Sequence, residues 1–356
     1  MTSLPWLDFD LARNVGQRLM PAGPPTTAEQ RRDAVDDLRR AARVAPALIS
    51  QASGLPLVTD GLDLVIDRRS WVASMVSTAE AMWQRLGSPA SPNLGQRITG
   101  RAMASQLGGL LAVLGTRILG QFDPFSPTPR LLLVAPNVVQ VERQLALVPR
   151  DFRTWVALHE QTHRVQFAAA PWLPDHLLGL VRRVLAAEDD AGEGILDVLL
   201  RLVRPGGGRA KDGADQLSGE PARSHGAMLD VLSAPQAGEP LDEVNAVMSL
   251  LEGHADVLMD LAGPEVIETL PVIRKRFEAR RDGGGRFAAI GKLVGMDAKL
   301  AQYRDGAVFS RAVLDVAGHQ GLNRVFESPQ HLPSRDELLE PALWMRRVLG
   351  LGGRPA

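Results

Sequence analysis

The sequence predicts a mainly α-helical protein with few, short strands. Three observations carry that prediction. Aromatic residues make up only 4% of the chain, while alanine, leucine and arginine, all good helix formers, are abundant. Several segments repeat apolar residues at the spacing of a helix buried on one face. The best strand candidate, Arg130 to Ala135, is short and apolar.

Along the chain, a helix is expected from about Thr27 to Ile49. Thr27 serves as N-cap, and Glu29 behind it places a carboxylate at the positive end of the helix dipole. Ser70 reads as the N-cap of a second helix, Trp71 to Leu86, and a third covers roughly Gly95 to Leu119. Its apolar stretch, Leu107 to Leu119, holds glycines, Thr116 and Arg117 and falls short of the roughly 18 residues of a membrane span, so a buried helix is expected. The strand Arg130–Ala135 ends at Pro136-Asn137. Asp151 reads as the cap of a helix that runs to Ala169 before Pro171 stops it. Residues 204–224 are rich in glycine and polar residues without an apolar period, the composition of a mobile loop. Asp242 to Ala262 is again helical, through Val244, Val247, Leu251, Ala255, Leu258 and Met259, and Gly263-Pro264 ends it. A loop is marked by Asp282-Gly283-Gly284-Gly285, and a last helix runs from Asp297 to Ala317.

Composition narrows the chemistry. The chain of 356 residues has no cysteine, which excludes disulfides, iron–sulfur clusters and thiolate zinc sites. Any metal must sit on histidine and carboxylate. The net charge of −1 gives no global attraction to nucleic acid or acidic membranes. Lysine is confined to Lys211, Lys275, Lys292 and Lys299, a bias that reflects coding and not function. The basic run Arg274-Lys275-Arg276, with Arg280-Arg281, reads as a solvated helix face. The N-terminus shows no basic region followed by an apolar stretch, so no signal peptide is expected and a cytoplasmic location is.

One pentapeptide concentrates the chemistry: His159-Glu160-Gln161-Thr162-His163, an HExxH pattern. On a helix, residues four apart share a face, so the two imidazoles can hold one Zn²⁺ with Glu160 beside it as general base. A catalytic zinc site needs a third protein ligand and an open fourth position. The extension HExxHxxGxxH is absent, since Gln166 and Ala169 stand at those positions. Two Glu-x-x-x-Asp segments offer a carboxylate instead: Glu252 with Asp256, and Glu193 with Asp197. In each, the glutamate could bind metal while the aspartate orients a ligating histidine. Glu252 is the stronger candidate, because it lies in a well-formed helix and Gly253 beside it permits close backbone approach. His254, two residues on, points elsewhere and reads as an outer partner or a structural residue; His176, His319 and His331 carry no motif. The site divides the chain into a helical part, about 1–150, and a metal-site part, about 151–356, within one domain.

The segments LHEQTHRVQF, SLLEGHADVLMD and YRDGAVFSRAVLDVAGHQGLNRVFESPQHLPSRDELLEP resemble an actinobacterial and chloroflexal family of zincin-like proteins. Its members are named hydrolases or zinc-dependent metallopeptidases, some with an association to deazaflavin coenzyme biosynthesis that is not carried over to this chain. The resemblance covers most of the chain. It implies a mostly helical zincin-like catalytic region with His159, His163 and Glu252 as metal ligands and Glu160 as the catalytic glutamate.

The expected function is zinc-dependent hydrolysis of a peptide, with a zinc-dependent amidase or small-molecule hydrolase as the alternative. A metal-stabilised scaffold without turnover is the reading from another class, and an intact Glu160 argues against it. Hydrolysis of an amide also needs a donor facing the oxyanion. Tyr303, the sole tyrosine, is a candidate, with His225, His254 and several arginines; a lone helical tyrosine is also an ordinary packing residue.

Overall fold

The computed structural model describes residues 4–87, 92–190, 238–282 and 296–351. Within the helices, the side chains of 185, 187–190, 278–282 and 296–304 fall outside the described residues, Tyr303 among them. The expected loop at 204–224, His225 and the Glu193–Asp197 segment also lie outside them.

The order of elements is α1 (Phe9–Leu19), α2 (Ala28–Ser53), β1 (Leu62–Ile66), α3 (Arg68–Arg85), α4 (Leu94–Leu114), β2 (Gly120–Asp123), β3 (Arg130–Val134), α5 (Ala135–Gln144), α6 (Pro149–Ala169) and α7 (Leu173–Asp190). There follow α8 (Gly238–Ala262), α9 (Leu270–Asp282), α10 (Met296–Asn323), α11 (Arg335–Leu339) and α12 (Pro341–Leu349). The protein is mainly helical with few short strands.

Among the described residues, three strands form one sheet in the order β1-β3-β2. β1 runs parallel to β3, with Leu62 opposite Arg130 and Ile66 opposite Val134. β2 runs antiparallel to β3, with Gly120 opposite Leu133. β3 is the hinge of the packing. Successive side chains of a strand point to opposite faces; Leu131 and Leu133 enter one core, with α2, α6, α8 and α10, while Leu132 and Val134 enter a second core with α1, α3 and α4. A central strand buried on both faces reads as an unbroken apolar run, which is why β3 is legible in the sequence.

Several boundaries shift for physical reasons. Asp67, not Ser70, caps α3: its Oδ1 accepts the Ser70 amide at 2.7 Å. The Thr27 cap is joined by Gln30 in a reciprocal capping box, and α2 continues past Ile49 to Ser53. α4 stops at Leu114, five residues early, because the Asn137 side chain holds the carbonyls of Gly115 and Ile118 (2.8 and 2.7 Å) and turns the chain into β2. α6 opens at Pro149 with no side-chain cap. Asp151 instead accepts the Thr269 amide and hydroxyl (2.8 and 2.6 Å) at the start of α9. The Ala317 boundary coincides with a break in α10 at Gly318, whose φ of 64° and ψ of −171° are not helical. The basic run on α9 is tied down and not simply solvated: Arg274 bonds Asp256, and Arg276 bonds the carbonyls of Leu145 and Ala146. Among the described residues, no helix is long and apolar enough to cross a membrane.

Candidate metal centre

α6 carries the HExxH segment through the middle of the molecule, and its polar residues fix its rotation. Gln161 donates to the Ala42 carbonyl on α2 at 2.9 Å, and Arg164 pairs with Asp63 on β1 at 2.5 Å. With that face committed to α2 and β1, His159 and His163 turn towards α8. Trp155, one turn earlier, stacks on the His159 ring at 6.0 Å between centroids, and is itself braced by Phe152 and Phe277.

α8 delivers the carboxylate. It crosses α10 at a contact where two glycines meet: a Cβ on Gly253 would lie 2.1 Å from the Gly306 carbonyl carbon, and one on Gly306 would lie 1.8 Å from the Ser249 oxygen. Only glycine on both sides allows the backbones to approach so closely. The crossing immediately follows Glu252 and so sets its position. Tyr303 stands one turn before Gly306 on the same helix, with its side chain outside the described residues.

The structure brings His159, His163 and Glu252 together, their ligating atoms within 4.8 Å of one another. The two Nε2 atoms are 3.3 Å apart. Glu252 Oε2 is 3.5 Å from His159 Nε2, and Oε1 is 3.8 Å from His163 Nε2. Ligands about 2.0–2.1 Å from a tetrahedral zinc are separated by roughly 3.3–3.4 Å, so the donor set and its spacing fit that ion. All three side chains keep partial exposure, which leaves solvent access to the cluster. Burial works against a charged His159, but the hydrogen bond and negative charge of Glu252, with Glu160 and Asp256 adding, push its pKa up to about 9.

Glu160 is buried beside the cluster without belonging to it. Burial raises its pKa; the neighbouring histidines and an amide from Phe122 on β2 oppose that rise, and Glu252 adds to it. Gly120 makes the approach of β2 possible, since a Cβ there would lie 2.5 Å from Glu160 Cγ. Sequence reasoning missed this contact because a four-residue strand leaves no periodic signal.

The outer partners differ from those expected. Among the described contacts, Asp256 bonds neither of the clustered histidines: its carboxylate bonds Arg274 at 3.0 Å and lies 3.5 Å from Arg311. Its position one turn beyond Glu252 brings it against α9, whose guanidinium captures it. It reaches His159 only through its charge. Among the described residues, the outer partner that bonds a clustered histidine is Gln166, buried, with Oε1 2.8 Å from His163 Nδ1. Its position three residues after His163, on the same helical face, is the signal that could have found it. His254 is one bond further out, its Nδ1 3.0 Å from Gln166 Nε2, and burial pushes its pKa down to about 3. A separate cavity of about 740 Å³ is lined by Asp37, Arg40, Glu142 and Arg153. Its buried Arg153 is already paired with Glu142 and Asp37.

A family model described as zincin-like metallopeptidase matches residues 7–345 of the chain. Among solved structures, the chain is similar to one described as "a putative hydrolase with a novel fold", from Chloroflexus aurantiacus. The TM-score is 0.64 at 25% identity, covering 98% of this chain and 100% of that one. No curated protein matches the chain.

Proposed function

The chain belongs to the zincin-like metallopeptidase family, and from that premise we propose that it hydrolyses a peptide bond with a single zinc held by His159, His163 and Glu252. Zinc there supplies Lewis acidity, which brings the pKa of water towards about 7 and polarises a carbonyl oxygen. Glu160 does the proton work: its carboxylate takes a proton from the attacking water and returns it to the leaving nitrogen as the amide bond breaks. Burial favours the protonated form of Glu160 and the histidines favour the ionised form, a balance suited to a group that must both accept and release a proton. Tyr303, one turn from the α8–α10 crossing, is the donor proposed for the oxyanion.

The observation that carries this reading is the position of Glu160: buried, held by β2 and adjacent to the three-ligand cluster without being a ligand. Pure scaffolding around a metal needs no such group. The test is Glu160→Gln in a screen of peptides and simple amides. The variant should retain zinc and lose turnover on whatever substrate the wild type cleaves. Full activity in the variant contradicts the mechanism. Cleavage of small amides without cleavage of peptides moves the substrate class and leaves the role of Glu160 intact.

A further inference from the structure

Gln166 makes three contacts from a site closed to solvent. Its Oε1 faces His163 Nδ1 at 2.8 Å; its Nε2 faces the Leu251 carbonyl at 2.8 Å and His254 Nδ1 at 3.0 Å. These contacts are not interchangeable. A backbone carbonyl can only accept a hydrogen bond, so the Leu251 oxygen requires the amide nitrogen of Gln166 on its side. That places the amide oxygen against His163 Nδ1, and an oxygen there requires Nδ1 to carry the proton. The lone pair of His163 is then left on Nε2, the atom that faces His159 and Glu252. The second amide hydrogen of Gln166 meets His254 Nδ1, which must accept, so His254 is neutral with its proton on Nε2.

We propose that Gln166 is the positioning residue of the metal centre. It presets the tautomer of His163 for metal binding and fastens α6 to α8 at Leu251, the residue before Glu252. One side chain thereby couples the orientation of a histidine ligand to the placement of the carboxylate ligand on another helix. The invariable partner is the main chain, so the tautomer is specified before any metal arrives. This role rests on the reading of His159, His163 and Glu252 as the ligand set.

The experiment titrates Zn²⁺ against a chromophoric chelator for the wild type, Gln166→Met and Gln166→Glu, with thermal unfolding of each metal-free chain measured alongside. Gln166→Met fills the same buried volume but can accept no hydrogen bond of useful strength from His163. It should bind zinc about 10- to 100-fold more weakly, the usual loss when such a partner is removed. Gln166→Glu keeps an acceptor for Nδ1–H but has no donor for the Leu251 carbonyl, so it should recover only the part of that loss carried by the His163 contact. A purely structural residue would shift the unfolding temperature and leave the zinc affinity of the folded chain unchanged in both variants, which overturns the proposal while the metal centre stands. In the metal-free wild type, long-range ¹H–¹⁵N correlations should show the His163 proton on Nδ1, before any metal is bound. A proton on Nε2 overturns the proposal whether or not the variants fold. A wild-type chain that takes up no zinc overturns the metal centre itself, and this role with it.

Discussion

Gly253→Ala adds one methyl group at the point where α8 crosses α10, and its consequences follow from the contact distances. The new Cβ would sit 2.1 Å from the Gly306 carbonyl carbon, 2.2 Å from the Ala307 nitrogen and 2.6 Å from the Gly306 Cα. All three are main-chain atoms, so no rotamer change relieves the overlap. Ordinary contact begins near 3.4 Å, and the helices must therefore separate by more than about 1 Å. Overpacking of this kind costs about 1–3 kcal/mol, occasionally more, against a gain of up to about 1 kcal/mol from replacing glycine by alanine in a helix. Metal–ligand distances hold to within about 0.2 Å, so a shift of the backbone beside Glu252 should weaken zinc, by about 10- to 100-fold as for other losses of a ligand's support. Gly109→Ala on α4 is the control, because its new Cβ meets no described atom within 4 Å beyond its chain neighbours and the adjacent backbone of its own helix. It should raise stability by up to about 1 kcal/mol and leave zinc untouched. Urea unfolding of the metal-free chains and chelator competition give both quantities. Gly253→Ala with wild-type stability and wild-type zinc affinity would refute the claim that this crossing positions Glu252.

Two further outcomes are expected. A metal-free His159 with its pKa pushed up to about 9 is protonated at neutral pH and must lose that proton to become a ligand, so zinc uptake releases it. Apparent zinc affinity should rise by about tenfold per pH unit from neutrality up to about pH 9 and level off above it; an affinity independent of pH across that range contradicts the raised pKa of the metal-free His159. Tyr303→Phe should lower kcat and kcat/KM together by about 10²- to 10³-fold, with KM and zinc content unchanged, if the phenol meets the oxyanion. Unchanged kcat returns Tyr303 to a packing role.

The parts of the site that lie within one helix were legible in the sequence, because helical spacing alone puts His159 and His163 on one face. Glu252 was legible for a related reason: Gly253 beside it marked a helix built for close approach, and the Gly253–Gly306 contact is that approach. The contacts between distant elements were not. Nothing local in Gly120–Asp123 announces a strand, yet its Gly120 makes room for Glu160. Asp256 carried the right spacing for an orienting carboxylate, but helix phase cannot reveal that Arg274 from another helix captures it. Gln166 stood where a related motif has glycine, and its meaning depends on the Leu251 carbonyl, 85 residues away. In the fold, β3 was legible from its unbroken apolar run, while β1 and β2 were not, because edge strands of five and four residues draw their stability from pairing with β3 and not from their own pattern.

The central claim is that His159, His163 and Glu252 hold one zinc ion. Elemental analysis of the gently purified wild type, set beside His163→Ala, Glu252→Ala and Glu160→Gln, tests it most directly. One zinc per chain in the wild type and in Glu160→Gln, with severe loss in His163→Ala and Glu252→Ala, is the result this account predicts. A wild-type chain that neither carries nor takes up zinc, or a Glu252→Ala chain that keeps it at wild-type affinity, contradicts it.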